Sequence, residues 1–288
     1  MVSLRPRRSV LYMPGSNARA LQKARTLPAD ALILDLEDAV APDAKEAARA
    51  QVCEAVRAGF GKRETVVRIN ALSTMWGEED LHAAAAAEPD AILVPKLSTP
   101  DELIAIEQRL AGAGRSLALW AMVETPLAIL NIAALAGAGG RLACLVMGTN
   151  DLIKELRGGH TQDRLNLAAA LSLSVLAARA HGLAIIDGVY NDIEDSEGFA
   201  ASCAQGRSFG FDGKTVIHPS QIEPCNAAFA PSPEEIETAK KIIAAFARPA
   251  NKGKGAIKLD GRMVERLHAE NAGRTLALAQ AIAALGAD

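Results

Sequence analysis

Two acidic residues follow apolar stretches near the middle of the sequence. Glu124 ends the run "ALWAMVE", and Asp151 ends the next such run, "ACLVMGTND". If these runs are neighbouring parallel strands, both carboxylates lie at the same edge of the sheet. Mg²⁺ takes one or two protein carboxylates and leaves its other positions to water and substrate oxygens. The pair therefore predicts a magnesium site, whereas the histidines show no H-E-x-x-H or comparable spacing for a softer metal.

Other strand-like runs also end in ionisable or amide side chains. These residues are Asp35, Glu37, Asp38, Arg68, Asn70, Lys96, Asp187 and His218. The three acids of the second run could hold metal-bound water or orient the cation. Arg68 offers a planar fork that fits a carboxylate or an enolate oxygen. An ion pair from Arg68 to Glu37 or Asp38 is the structural alternative, and both roles can hold at once.

A cation and a guanidinium at one edge of a sheet suit the chemistry of 2-oxo acids and hydroxy acids. The metal polarises the carbonyl and the arginine stabilises an enolate, so that a carbon–carbon bond can break or form. A serine nucleophile is disfavoured because no G-x-S-x-G occurs. Schiff-base chemistry through Lys96 stays open, although an ion pair or a packed stem is the favoured interpretation of that residue.

Eight short apolar runs must position these residues, and helical patterns separate the runs. They are "SVLYMPG", "ALILDLED", "TVVRIN", "AILVPK", "ALWAMVE", "ACLVMGTND", "AIIDG" and "GKTVIHP". Each is continuously apolar, as in parallel strands that are covered on both faces. The repeated alternation predicts an α/β fold, a (β/α)8 TIM barrel, whose C-terminal rim carries the strand-end residues. A doubly wound open sheet is the alternative, but no G-x-G-x-x-G follows the first run.

The length of 288 residues allows one barrel of roughly 250 residues and an appendage. We assign residues 1–232 to the barrel and residues 233–288 to C-terminal helices. In the second part, Ser232 and Pro233 begin a capped helix that runs to about Phe246. Residues 247–263, "ARPANKGKGAIKLDGRM", predict a flexible linker and turn before a last helix.

The composition excludes several classes of partner. A formal charge of −3 and an aromatic content of 3% give no sign of nucleic-acid binding. No apolar run is long enough for a membrane span. Four scattered cysteines without a C-x-x-C pair indicate reduced thiols and a cytoplasmic protein.

The strand ends belong to longer motifs. The runs "LDLEDAVAPD" (34–43) and "GFDGKTVIHP" (210–219) are the most specific, and "RSVLYMPGSN" (8–17), "MVETPLAIL" (122–130) and "GTNDL" (148–152) accompany them in order. Together these motifs resemble the HpcH/HpaI aldolase and citrate lyase family, in its citrate lyase β-subunit-like branch. Asn17 favours this branch, because the malyl-CoA lyase branch has an arginine in that loop.

The resemblance implies a TIM barrel in which Glu124 and Asp151 hold Mg²⁺. The predicted substrate-binding residues are Arg68, Glu124 and Asp38. The predicted catalytic residues of the barrel are Arg68, Asp35 and Glu37. The resemblance also implies coenzyme A, as the thioester part of the substrate, against the first and last strands. The positions carried over for it are Tyr12, Lys23, Ile217 and His218. A coenzyme A phosphate near Lys23 fits the charge, whereas His218 could equally be a capped loop residue.

The implied reaction is the reversible cleavage of a 3-hydroxyacyl thioester to an acyl thioester and a 2-oxo acid. Citramalyl-CoA, malyl-CoA or a citryl thioester would be the substrate, and the enzyme would be a carbon–carbon lyase that releases an oxo acid. A thioesterase or synthase of the same family is one alternative. A non-catalytic subunit that binds coenzyme A or a carrier is another.

Relatives use the C-terminal segment as a lid, often over the site of a neighbouring subunit. The resemblance therefore implies a homo-oligomer, with a trimer expected. The relatives' M-V/I-D motif has an acid/base aspartate where this chain has Glu265. Glutamate has nearly the same intrinsic pKa as aspartate and is one methylene longer. Glu265 is thus either the acid/base of a lid set slightly further away or a surface residue on a helix.

Overall fold

The computed structural model describes residues 5–114 and 116–286. They form two compact units. The first is Arg7–Phe229, and the second comprises the described residues before Arg7 and from Ala230 onward. Among the described helices, none has both the length and the apolar character needed to cross a membrane.

The first unit is a closed barrel of eight parallel strands in sequence order, in which the first strand also pairs with the last. The strands are β1 Ser9–Pro14, β2 Ala31–Asp35, β3 Glu64–Arg68, β4 Ala91–Val94, β5 Ala118–Val123, β6 Leu142–Met147, β7 Ala184–Asp187 and β8 Gly213–Val216. The register sets Asp35 beside Arg68 and Val123 beside Met147. The predicted (β/α)8 TIM barrel is confirmed, and all strands end at one rim.

Strand side chains alternate between the barrel interior and the layer beneath the helices. Ile33 and Trp120 belong to the interior cluster, whereas Leu32 belongs to the larger cluster of the outer layer. Asp35 and Arg68 continue the inward rows of their strands. Because apolar side chains fill the barrel below them, these two polar groups lie at its C-terminal mouth.

Helices follow the strands and cover the barrel. They are α1 Ala18–Ala24, α2 Lys45–Ala58, α3 Gly77–Ala87, α4 Pro100–Arg109, α5 Pro126–Leu130, α6 Ile132–Ala136, α7 Thr149–Glu155, α8 Ala168–Ala180, α9 Ser196–Phe209 and α10 Ile222–Phe229. The "ETP" motif shows how strand and helix are joined. Thr125 caps α5 by accepting a hydrogen bond from the Ala128 amide, and Pro126 occupies the first helical turn. Glu124 is therefore held between a strand end and a helix start.

The second unit contains two helices and a hairpin: α11 Pro233–Ala247, β9 Ala256–Leu259, β10 Arg262–Glu265 and α12 Arg266–Gly286. The capped helix predicted from Ser232 and Pro233 is confirmed as α11, and Ser232 and Glu235 form a capping box at its start. Of the flexible linker and turn predicted over residues 247–263, the turn is confirmed. The linker is wrong for residues 256–259 and 262–263, because β9 and β10 pair antiparallel there. Asp260 and Gly261 both have positive φ, which suits a tight hairpin turn.

Candidate active site

A cavity of about 310 Å³ opens at the C-terminal mouth of the barrel. Seven of the predicted residues line it: Tyr12, Asp35, Asp38, Arg68, Glu124, Asp151 and Ile217. Three others of the barrel unit, Glu37, Lys23 and His218, are not among its lining residues. Lys23 and His218 are exposed on α1 and after β8, and Glu265 belongs to the second unit. The structure thus brings the two proposed metal ligands and the arginine to one cavity.

Glu124 is almost fully buried, with 2% of the residue exposed. Its Oε1 accepts a hydrogen bond of 2.8 Å from the amide of Lys96. Lys96 adopts a positive φ of 55°, which is uncommon for a residue with a side chain. Burial and then the negative charges of Glu37 and Asp151 raise the pKa of Glu124 to about 8. A cation bound at this carboxylate would relieve both effects.

Asp151 lies in the first turn of α7 and is partly exposed. Gly148, which caps this helix, lets strand β6 pass directly over Glu124. A Cβ atom at Gly148 would come within 2.4 Å of Glu124 Cβ and 2.6 Å of Oε2. The glycine of the "GTND" motif is therefore required for the close approach of the two acidic strand ends.

Arg68 is 7% exposed and forms a bidentate pair with Asp35. Its Nε and Nη2 donate to the two Asp35 oxygens at 2.6 Å each. Both oxygens also accept backbone amides, from Glu37 at 2.9 Å and Ala39 at 3.1 Å. The guanidinium stacks 5.0 Å from the ring centroid of Tyr12. Asp35 therefore fixes the plane of Arg68 and has its own hydrogen-bonding capacity filled.

The remaining Arg68 nitrogen, Nη1, points toward two further acids. It lies 3.0 Å from Glu37 Oε2 and 3.4 Å from Asp38 Oδ2, so the ion pair considered from the sequence is present. Glu37 Oε2 is nevertheless buried and has no partner with hydrogen-bond geometry in the described part of the chain. Burial raises the pKa of Glu37 to about 7 despite the nearby arginine. Negative charge is in excess around this end of the cavity.

The donor set fits a hard cation. Within residues 5–114 and 116–286 no group of three or more His, Cys, Asp or Glu side chains is arranged to ligate a metal. Glu124 and Asp151 instead offer two carboxylates beside open space. That arrangement matches an ion such as Mg²⁺, which keeps several water or substrate oxygens.

Sequence comparison assigns the chain to a family. The sequence model of HpcH/HpaI aldolase/citrate lyase matches residues 8–219. The chain belongs to this family. A second model, described as C-C bond lyase of the TIM-barrel fold, matches residues 165–283. The resemblance inferred from the motifs is confirmed.

Individual relatives divide between two named activities. A (3S)-malyl-CoA thioesterase of Cereibacter sphaeroides strain KD131 is 53% identical over 98% of both chains. The citrate lyase β subunit of Escherichia coli K12 is 35% identical over 91% of this chain and 89% of that one. The crystal structure of CitE from Mycobacterium tuberculosis with magnesium, acetoacetate and coenzyme A has a TM-score of 0.79 at 31% identity, covering 96% of this chain and all of that one.

Two strand-end residues predicted at the family's catalytic rim point elsewhere. Asp187 is fully buried in the outer layer, where it pairs with Arg164 and Lys214. Asn70 is bound to Asp80 and to a backbone carbonyl. The prediction that both feed the rim pocket is wrong. Asp187 follows the interior residue Ile186 and so falls in the outward phase of β7. Asn70 lies beyond the end of β3, and its hydrogen bonds to Asp80 hold it away from the cavity.

Several lining residues escaped sequence reasoning. Thr215 and Met122 lie inside strands, where nothing distinguishes them from ordinary core residues. Asn150 and Asn191 exchange side-chain hydrogen bonds of 3.0 and 2.9 Å beside the cavity. The motifs "GTND" and "GVYND" contain both asparagines, so an Asn after each of two strand ends was the available signal.

Proposed function

We propose that this chain is a Mg²⁺-dependent enzyme that hydrolyses a malyl-CoA-type thioester. The observation that carries a metal-assisted reaction is the convergence of Glu124, Asp151 and Arg68 on one cavity. Hydrolysis, rather than carbon–carbon cleavage, is supported by the 53% identity with a protein named (3S)-malyl-CoA thioesterase. The bound coenzyme A and magnesium in the CitE structure support the choice of cofactors.

In this proposal Glu124 and Asp151 hold the metal through carboxylate oxygens. When bound, Mg²⁺ supplies a Lewis acid for an oxygen of the substrate acid. Arg68 faces the same space and stabilises negative charge that develops on the substrate. Because Asp35 holds the guanidinium in a fixed plane, little reorganisation is needed when that charge appears.

The other predicted residues take supporting roles. Glu37 does not line the cavity, so we assign it and Asp35 to the positioning of Arg68. Tyr12 and Ile217 line the cavity at the first and last strands and are the proposed contacts of the thioester arm. Lys23 and His218 are exposed and would meet only the outer part of coenzyme A.

A reversible carbon–carbon lyase is the second candidate. The family match and the 35% identical citrate lyase β subunit favour it. The same metal ligands and Arg68 would serve both reactions, because each places negative charge on oxygen next to the reacting carbon. The two differ in their products. Hydrolysis yields malate and free coenzyme A, whereas cleavage yields acetyl-CoA and glyoxylate.

Product analysis tests the proposal. With (3S)-malyl-CoA and MgCl₂ we expect malate and a free thiol in equal amounts, measured by chromatography and a thiol reagent. EDTA or Glu124→Gln should lower the rate about 10²-fold or more, since both remove a charge-stabilising contact. Glu54→Gln, an exposed exchange on α2, is the matched control. Acetyl-CoA and glyoxylate as the products would establish the lyase instead, and full activity in EDTA would reject the metal.

A further inference from the structure

A second cavity, of about 420 Å³, lies beside the catalytic one within the barrel unit. It shares Thr149, Val189 and Asn191 with the first cavity. Its other walls come from the segment before α8, from the loop after β7 and from α9. None of the proposed metal, substrate or coenzyme A residues lines it. The proposed function leaves this space without a role.

Two buried hydrogen-bond donors in its wall lack partners. Ser202, on α9, is 5% exposed, and its hydroxyl has no hydrogen-bond partner among the described residues. The Arg164 side chain is 12% exposed, and its buried Nη2 likewise has no partner there. Leaving such groups unpaired is costly, and most buried polar groups avoid it. Both residues line the same cavity, which is large enough to hold a partner for them.

Arg164 shares its carboxylate partner with a second cation. Its Nη1 contacts both oxygens of Asp187 at 2.7 and 2.9 Å, and Lys214 Nζ contacts Asp187 Oδ2 at 2.8 Å. Two cations thus share one carboxylate, and both Lys214 and Asp187 are fully buried. A buried excess charge of this kind is stabilised by a counter-charge. The unpaired Nη2 is the atom through which such a counter-charge would bind.

The acids in the cavity wall do not supply it. Asp195 caps α9 by accepting a hydrogen bond from the Gly198 amide at 2.9 Å, and it also accepts the Tyr190 hydroxyl. Asp192 accepts amides of its own turn, from Glu194 at 3.1 Å and from Asp195 at 3.3 Å. Both carboxylates therefore stabilise the loop and the helix start rather than pair with Arg164.

We infer that this cavity is an oxyanion-binding subsite, separate from the metal site, in which Arg164 Nη2 and Ser202 Oγ donate to the bound group. The guanidinium edge and the hydroxyl suit a carboxylate or phosphate oxygen. The volume leaves room for the rest of a small organic anion. The subsite opens next to the catalytic cavity, so its occupant can be a second small anion present during turnover.

Anion titration of the metal-free protein tests the subsite. In EDTA, we expect saturable binding of inorganic phosphate or malate by isothermal titration calorimetry. Their relative affinities tell whether a phosphate or a carboxylate is the preferred group. Ser202→Ala and Arg164→Lys should each weaken binding about tenfold, as expected for loss of one hydrogen bond to a charged group. Ser202→Ala removes an unpaired hydroxyl and should fold normally. Arg164→Lys keeps the charge beside Asp187.

Ser208→Ala is the matched control, since Ser208 is exposed on the same helix and its hydroxyl donates only to a backbone carbonyl. It should leave binding unchanged. Absence of saturable binding for both anions, or equal affinity in Ser202→Ala and the parent protein, would overturn the inference. Binding that Arg68→Lys weakens while Ser202→Ala does not would place the anion in the catalytic cavity and overturn it as well. Because no turnover is measured, the outcome is independent of the thioesterase proposal.

Discussion

At the scale of single residues, two carboxyl groups at the mouth of the barrel have raised pKa values. Burial and like charges raise the pKa of Glu124 to about 8, and burial raises that of Glu37 to about 7. A carboxyl group with a usual value near 4.5 is therefore protonated in the folded, metal-free protein over a range where the unfolded chain is ionised. A cation would reverse this by favouring the ionised form.

The consequence is a stability that falls with rising pH. Between about pH 4.5 and 8 the folded state binds more protons than the unfolded state, so the free energy of unfolding decreases as pH rises. In EDTA, urea unfolding should show a decrease on the order of 1 kcal/mol or more from pH 5.5 to pH 8 through these groups. Glu124→Gln should flatten this slope, and Mg²⁺ should stabilise the parent protein more at pH 8. An unchanged slope in Glu124→Gln would contradict the assigned shift.

At the scale of elements, strand ends and helix starts position the acids together. The Lys96 amide anchors Glu124 from the preceding strand, and Thr125 begins the next helix at once. Gly148 then brings the end of β6 onto the Glu124 side chain. Glu124 and the end of β6 come close together because the connection from β5 to α5 is short and because Gly148 has no side chain at the point of contact.

Gly148→Ala tests this packing. The added Cβ would lie 2.4 Å from Glu124 Cβ, so either the strand end or the carboxylate must move. We expect a loss of about 1–3 kcal/mol in the free energy of unfolding, as for other overpacked sites, together with weaker Mg²⁺ binding. Gly112→Ala, where a Cβ meets nothing within 4 Å, should change neither quantity. Denaturant unfolding and magnesium titration measure the two effects; a Gly148→Ala protein that matches its parent in both would refute the packing argument.

At the scale of the whole molecule, the C-terminal unit carries the predicted acid/base. Glu265 is the last residue of β10, directly before α12, rather than a residue within a helix. It is partly exposed, and its amide donates to His268 Nδ1 at 2.9 Å. The backbone of Glu265 is therefore held between a paired strand and the first turn of a helix. Its action on a neighbouring subunit of a cytoplasmic homo-oligomer stays a prediction.

Mixing inactive subunits tests that prediction. Glu124→Gln and Glu265→Gln chains, each expected to lose about 10²-fold in activity alone, would be co-refolded in equal amounts. If the lid serves a neighbour, about a quarter of the sites combine an intact barrel with an intact Glu265 and regain activity. Co-refolding Glu124→Gln with itself is the control. A mixed sample no more active than its parts would mean that Glu265 acts in its own chain or not at all.

Much of the fold and part of the site could be predicted from the sequence. Eight continuous apolar runs with helical patterns between them predict parallel strands that are covered on both faces, and a closed barrel is the favoured arrangement of eight such strands. The barrel in turn places strand ends at one rim, which is why Glu124, Asp151 and Arg68 could be predicted to lie near one another. The motifs then indicated the family and hence the metal and thioester chemistry.

Only the tertiary structure determined the direction in which each side chain points and the partners with which it forms hydrogen bonds. In a continuously apolar run the sequence does not show which residues face the barrel interior and which face the helices. The inward direction of Asp35 and the outward direction of Asp187 therefore became clear only from the strand register. The β9–β10 hairpin depends on pairing between segments that each look like linker. Arg164 and Ser202 are 38 residues apart in the sequence and line one cavity with unpaired donors. No local sequence pattern predicts this, because it depends on packing between distant parts of the chain.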